Sequence, residues 1–430
     1  MSIVEEDTLL LFNYDKRIYG VEVCYLLSWI DGLSILEAGA LVFIIGAVNV
    51  LYIIGIKNRI EKYYKKTQSR ELTLNRMRLL TQYVYLIFIA VSSFFTVLLF
   101  MFLLEAPFGD SKLHSIVSLV CTFIFLGMVL TINQLILSKT TQKIRGTEET
   151  VKDELKSTIA GLLLIFAPIT FFIGILSIIP DGLLGDIGYV LILLAFLISV
   201  PFFSALLLRR MLKAYDMPSS ELKDDLLQFL KQIYMEDVKL YLWPTKKKKV
   251  ANAVVTGVSK RKQVLLSDYL LENMSRKEIE AILAHEVGHL KHNHIWKRVI
   301  LLAFFPILTY GLGKGLDMFE TSYGELPYWL GIGIILIFVV GYLGIVFLFV
   351  SRIQEREADK YVLSVGIDYR DYASGLMKLA KLNDMVTNMN KLDESFQTHP
   401  SIAKRVRWII EEANGSTEEF LEYQVRENTD

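Results

Sequence analysis

Apolar residues along this chain gather in runs of about twenty or more, the length an α-helix needs to cross a bilayer. Seven runs stand out, at 35–56, 80–104, 114–137, 159–179, 187–208, 297–316 and 327–350. Two polar stretches, 209–296 and 351–430, are long enough to fold, yet neither buries a good core alone. They are expected to fold together, with the sixth and seventh spans as a hairpin between them. Within the first stretch, "VANAVVTGV" and "KQVLLSDYLL" read as short strands about a turn at Gly257–Lys262. The period then changes in "SRKEIEAILAHEVGHLKHNH". Ser275 with Glu278 three residues on forms a capping box, and Ile279, Ile282, Leu283, Val287 and Leu290 follow helical spacing. This helix is expected to run on to the membrane at Trp296.

Composition agrees. Of 430 residues, 53% are hydrophobic, which displaces the reading of two or three soluble domains that length alone suggests. The first span starts late and its flank "MSIVEEDTLLLF" is acidic, so no cleaved targeting segment is expected. Formal net charge is zero, which argues against a nucleic-acid partner. The charges are sorted along the chain. "KNRIEKYYKKTQSRELTLNRMR", "SKTTQKIRGTEETVKDELK" and the Arg209, Arg210, Lys213 cluster follow the odd spans, while "EAPFGDSK", "PDGLLGD" and "DMFETSYGELP" follow the even ones. By the positive-inside rule, the amino terminus is outside and the carboxyl terminus cytoplasmic. The expected organisation is an extracytoplasmic segment over 1–34, five spans over 35–208, a cytoplasmic domain in two parts over 209–296 and 351–430, and a transmembrane hairpin over 297–350. Cys24 and Cys121 read as unpaired small apolar side chains. "KKKK" at Lys246–Lys249 reads as a solvated turn, Pro168, Pro201 and Pro306 as helix kinks, and Asn49 as a hydrogen bond to a neighbouring helix.

Four of the six histidines fall within ten residues, at 285, 289, 292 and 294. His285 and His289 are one helical turn apart on one face, so two imidazoles can grip one tetrahedral cation. Glu286, rotated by about 100°, can reach a water there without being a ligand; this is the zinc-protease pattern. A third histidine six residues after His289 would mark one zinc-protease class, but that position is Ile295. Helical phase swings His292 and His294 away, leaving them as surface groups or outer supports. The other option is a glutamate from a second helix. Directly after the seventh span, "SRIQEREADKYVLSVG" puts Glu355 and Asp359 on one helical face and Glu357 roughly opposite, with Gly366 as the cap. Glu355 is then the third ligand, and Asp359 can accept the free N–H of a liganding histidine. The two spans between residues 296 and 351 return the chain to the same membrane side; an odd number would have separated the ligands. In "FQTHPSIAKRVRWI", His399 and Arg405 are candidates to stabilise an oxyanion.

Together, "NAVVTG", "LLENMSRKEIEAILAHEVGHLKHNH", "SRIQEREAD" and "THPSIAKRVRWI" resemble the integral-membrane zinc metalloproteases that include CAAX prenyl protease type I and HtpX, over about 210–410. The span layout resembles the CAAX prenyl protease branch. The resemblance implies a mainly α, polytopic membrane fold of about seven transmembrane helices, with a cytoplasmic zincin-like metalloprotease domain containing a small β-sheet. It implies one Zn2+ per chain on His285, His289 and Glu355, Glu286 as base and Asp359 as support. His399 and Arg405 become transition-state and substrate contacts. Asn252, Ala253, Val254, Val255, Thr256 and Gly257 become an edge strand along which a substrate peptide lies extended. The implied activity is that of a zinc endopeptidase on membrane-associated proteins or peptides, lipidated ones among them. The implied location is the plasma membrane of a bacterium or the endoplasmic reticulum of a eukaryote, with the active site at the cytoplasmic face. The contrasting reading is a transporter or lipid-binding scaffold with a structural zinc, which would ordinarily need four protein ligands.

Overall fold

The computed structural model describes residues 34–427, except for most of 82–111 and for 180–184, 325, 390–393 and 395–396. Six described helices are long and apolar enough to cross a membrane: Ile35–Thr67, Ile116–Arg145, Val151–Leu176, Ile187–Met211, His294–Tyr323 and Gly333–Ser364. They coincide with six of the seven expected spans, and the protein is an integral membrane protein. The second expected span, 80–104, falls largely outside the described residues, as does Cys24.

The first helix opens on a capping box between Ser34 and Glu37. It packs along Lys112–Arg145 through Ile53, Ile56, Ile60, Leu137 and Ile144. Asn49 is 1% exposed, and its Nδ2 donates to the Ile45 carbonyl at 2.7 Å and to Ser92 Oγ at 3.3 Å. This is the interhelical hydrogen bond expected of a polar residue in a span. Pro168, Pro201 and Pro306 all lie inside helices.

The polar stretches form one body. A sheet runs in the order β1 (Tyr215–Asp216), β2 (Lys239–Trp243), β4 (Gln263–Ser267), β3 (Ala253–Thr256). β2 and β4 are parallel, and the outer pairs are antiparallel. The hairpin of β3 and β4 sits where the sequence predicts it; β1 and β2 were not anticipated. The "KQVLLSDYLL" segment divides, since β4 ends at Ser267 and a short helix, Asp268–Asn273, follows. Gly257 makes the turn after β3 with φ +87, and a Cβ there would lie 2.0 Å from the Arg261 carbonyl oxygen, so only glycine fits.

Helix Arg276–Lys291, which carries the histidines, runs through the middle of this body. Ile279, Ile282, Leu283, Ala284, Val287 and Leu290 are all buried, which a helix shows when it is enclosed on nearly every side. Its neighbours include β3, helix Phe347–Ser364 and helix Tyr369–Leu382. The body is fastened to the membrane helix Asp186–Met211: Gln263 Nε2 donates to the Ala205 carbonyl at 2.7 Å, and Arg209 donates to Tyr241 Oη at 2.7 Å. The polar body therefore lies directly against the spans.

The histidine helix does not continue to Trp296. It ends at Lys291, Asn293 adopts a left-handed conformation with φ 56, and a new helix begins at His294. Asparagine is among the few residues that take this conformation readily, and the resulting bend is what the continuous helical projection missed.

Candidate metal centre

His285, His289 and Glu355 converge. Their ligand atoms lie within 4.8 Å of one another, and all three residues are buried. Nε2 of His285 is 3.5 Å from Oε2 of Glu355, and Nε2 of His289 is 3.5 Å from Oε1. The two helices close tightly because residue 288 is glycine. A Cβ there would stand 3.2 Å from both Ala358 Cα and Tyr361 Cβ.

Both carboxylate oxygens of Glu355 are buried and accept no hydrogen bond from the described residues, although His399 Nδ1 comes within 2.8 Å of Oε2. A buried carboxylate so poorly partnered is costly unless a cation shares the site. Two imidazoles and one carboxylate are a donor set that fits zinc with an open fourth position.

Each histidine is held from behind. His285 Nδ1 lies 3.0 Å from Asp359 Oδ1 and 2.9 Å from Tyr372 Oη. Tyr372, 0% exposed, donates to Asp359 Oδ1 at 2.6 Å. Arg405 closes this cluster, donating from Nη2 to Asp359 Oδ1 at 2.5 Å and from Nε to Oδ2 at 3.1 Å. Behind His289 stands His294, Nδ1 to Nδ1 at 2.7 Å, and His294 Nε2 lies 2.8 Å from Glu357 Oε2. Tyr372 and Glu357 were not anticipated in these places; His294, read as a surface group or an outer support, is the support behind His289. His294 returns because of the bend at Asn293. Glu357 does point away from Glu355, as helical phase predicts, and that is the side on which His294 meets it.

Electrostatics differ between the two rings. Burial and the Arg405 charge oppose a proton on His285, but the neighbouring carboxylates of Asp359 and Glu355 outweigh them and hold its pKa up at about 9. Burial, reinforced by the charge of His285, pushes His289 down to about 2, so its ring is neutral. Burial pushes the Glu286 carboxyl up to about 7, with the His285 charge opposing and Glu355 adding to the shift.

Glu286 faces the sheet edge: the Val255 backbone N–H donates to its Oε2 at 3.1 Å. β3 is an edge strand, and its outward Ala253 N–H is taken by Asn252 Oδ1 at 3.0 Å. The segment Asn252–Gly257 thus runs beside Glu286. Val254 and Val255 are half-buried, while Ala253 and Thr256 are buried. The His399 side chain is 60% exposed at the mouth of the site. Arg405 is buried behind His285, and its Nη1 stops 3.9 Å from Glu355 Oε2.

Residues 219–413 match the profile of peptidase family M48. Similar proteins include a CAAX prenyl protease 1 homolog of Arabidopsis thaliana, 28% identical over 169 residues that make up 37% of this chain and 40% of that protein. Another is Protease HtpX homolog 2 of Methanosarcina acetivorans, 31% identical over 37% of this chain and 62% of its own length. CAAX prenyl protease 1 of Saccharomyces cerevisiae is 27% identical over 38% of this chain and 41% of its own. The chain therefore spans less than two thirds of the length of the curated relatives it matches. Its fold resembles the crystal structure of S. mikatae Ste24p, with a TM-score of 0.55 at 18% identity, covering 87% of this chain and 98% of that one.

Proposed function

We propose that this chain, whose residues 219–413 carry a peptidase family M48 domain, is a membrane-embedded zinc endopeptidase. The observation that carries the reading is the buried trio His285, His289 and Glu355, whose carboxylate oxygens accept no hydrogen bond from the described residues, with Glu286 poised between the trio and an edge strand. Zinc held by the trio would polarise a scissile carbonyl and acidify water beside it.

The chain's own residues do the rest. Glu286 takes a proton from the attacking water and delivers it to the leaving amine. The Val255 N–H fixes the carboxylate that performs this transfer. The outer edge of β3, over Asn252–Gly257, aligns the substrate backbone in extended form. His399, exposed at the mouth, donates to the developing oxyanion. Asp359 takes the Nδ1–H of His285, and Arg405 acts chiefly by holding Asp359, with Tyr372 between them.

The loop charges support a cytoplasmic location for the 209–296 and 351–430 segments, with the amino terminus outside. The substrates are peptides or proteins presented at that membrane face. The relatives named for CAAX prenyl proteolysis make lipidated peptides the first class to try. The experiment uses the full chain purified in detergent, with quenched fluorescent peptides with and without a prenyl group. Cleavage that a chelator abolishes and stoichiometric zinc restores supports the proposal. One bound zinc with no cleavage of any peptide would favour a scaffold instead.

A further inference from the structure

The bend at Asn293 has a chemical consequence at His289. His294 is 1% exposed, and its Nδ1 meets Nδ1 of His289 at 2.7 Å. Two ring nitrogens at that distance need one proton between them: one donates, the other accepts. The far nitrogen of His294 decides which. Its Nε2 lies 2.8 Å from Oε2 of Glu357, an oxygen that also accepts from Lys297 Nζ at 2.8 Å. An ionised carboxylate only accepts, so His294 must carry its proton on Nε2. Lys297 already supplies a cation to Glu357, and burial disfavours a second charge on His294, so its ring is neutral with Nδ1 bare. The proton in the short contact then belongs to His289 Nδ1. His289, neutral, is left with its lone pair on Nε2, the atom 3.5 Å from Glu355 Oε1.

We infer that His294 is a positioning residue for His289, held by Glu357 in the one tautomer that leaves Nε2 of His289 bare toward Glu355. The opposite polarity would put a proton on that Nε2 and close it to a cation. This inference rests on the proposed metal reading and adds to it a second device, distinct from the Asp359–Tyr372–Arg405 cluster behind His285. That cluster is sealed: all three of its members are buried. The Glu357 end of the second device is 36% exposed, so it joins a buried ligand to the surface beside the membrane helix His294–Tyr323.

The test is competitive zinc titration of the full, zinc-stripped chain in detergent, comparing His294→Asn, His294→Leu and Glu357→Ala with the wild type. Asn and Leu are close in shape, but only Asn keeps an acceptor near the place of Nδ1. His294→Leu and Glu357→Ala are expected to weaken zinc binding roughly ten- to hundredfold. His294→Asn is expected to stay within about threefold of the wild type, because the acceptor survives. Equal affinity in the Leu variant would overturn the inference, as would a loss in Asn as large as in Leu, which would mark a packing role only. Glu357 lies at the surface, so its variant folds and reads the tautomer effect independently; unchanged affinity there also counts against the inference. A wild-type chain that takes up no zinc would overturn the metal reading itself and this inference with it.

Discussion

The Val255 N–H donates to Glu286 Oε2 at 3.1 Å, so the edge of β3 and the acid of the histidine helix are joined directly. One consequence is a test at the backbone. Val255→Pro removes the donor, and an edge strand tolerates proline where its N–H points away from the sheet. A hydrogen bond to a charged group contributes about 1.5–3 kcal/mol, so kcat should fall roughly ten- to hundredfold. Zinc content should stay at the wild-type level. Normal kcat in the zinc-loaded variant would show that the contact does not matter for turnover.

Zinc uptake should depend on pH in a defined direction. His285 holds its proton up to about 9 through Asp359 and Glu355, and a cation must displace a proton to use both rings. His289, at about 2, contributes no proton in the ordinary range. Apparent zinc affinity should therefore rise by about tenfold per pH unit from pH 7 to 8 and level off above about 9. Titrations with a chelator buffer at each pH measure this slope; a flat profile would contradict the protonation assigned to His285.

Gly288 is predicted to be a packing requirement of the metal centre. Any Cβ meets Ala358 and Tyr361 at 3.2 Å. Alanine would be partly offset by its better helix propensity, so valine is the clearer probe. Gly288→Val should cost about 1–3 kcal/mol of stability and weaken zinc binding by spreading the two helices. Thermal unfolding of the zinc-free and zinc-loaded chain separates the two effects.

Much of this site could be read in the sequence, for a physical reason. His285 and His289 follow from one helix's geometry, and Glu355 follows from a membrane hairpin that returns the chain to the side it left. What escaped was tertiary or local. Tyr372 lies 87 residues from His285, and nothing in the spacing of "DYRDYASGL" points at a histidine. The contacts of His294 with His289 and Glu357 escaped because a single left-handed residue, Asn293, redirected a helix that periodicity alone extends. β2 escaped because its five residues read equally well as a loop until β4 pairs with them in parallel.

The most direct test of the account is Glu286→Ala in the full chain. Zinc should remain at one per chain, because His285, His289 and Glu355 are untouched. Peptide cleavage should drop by at least about a hundredfold, the usual scale of a lost general base. Full cleavage by the zinc-loaded variant would contradict the role assigned to Glu286 and the proposed mechanism with it.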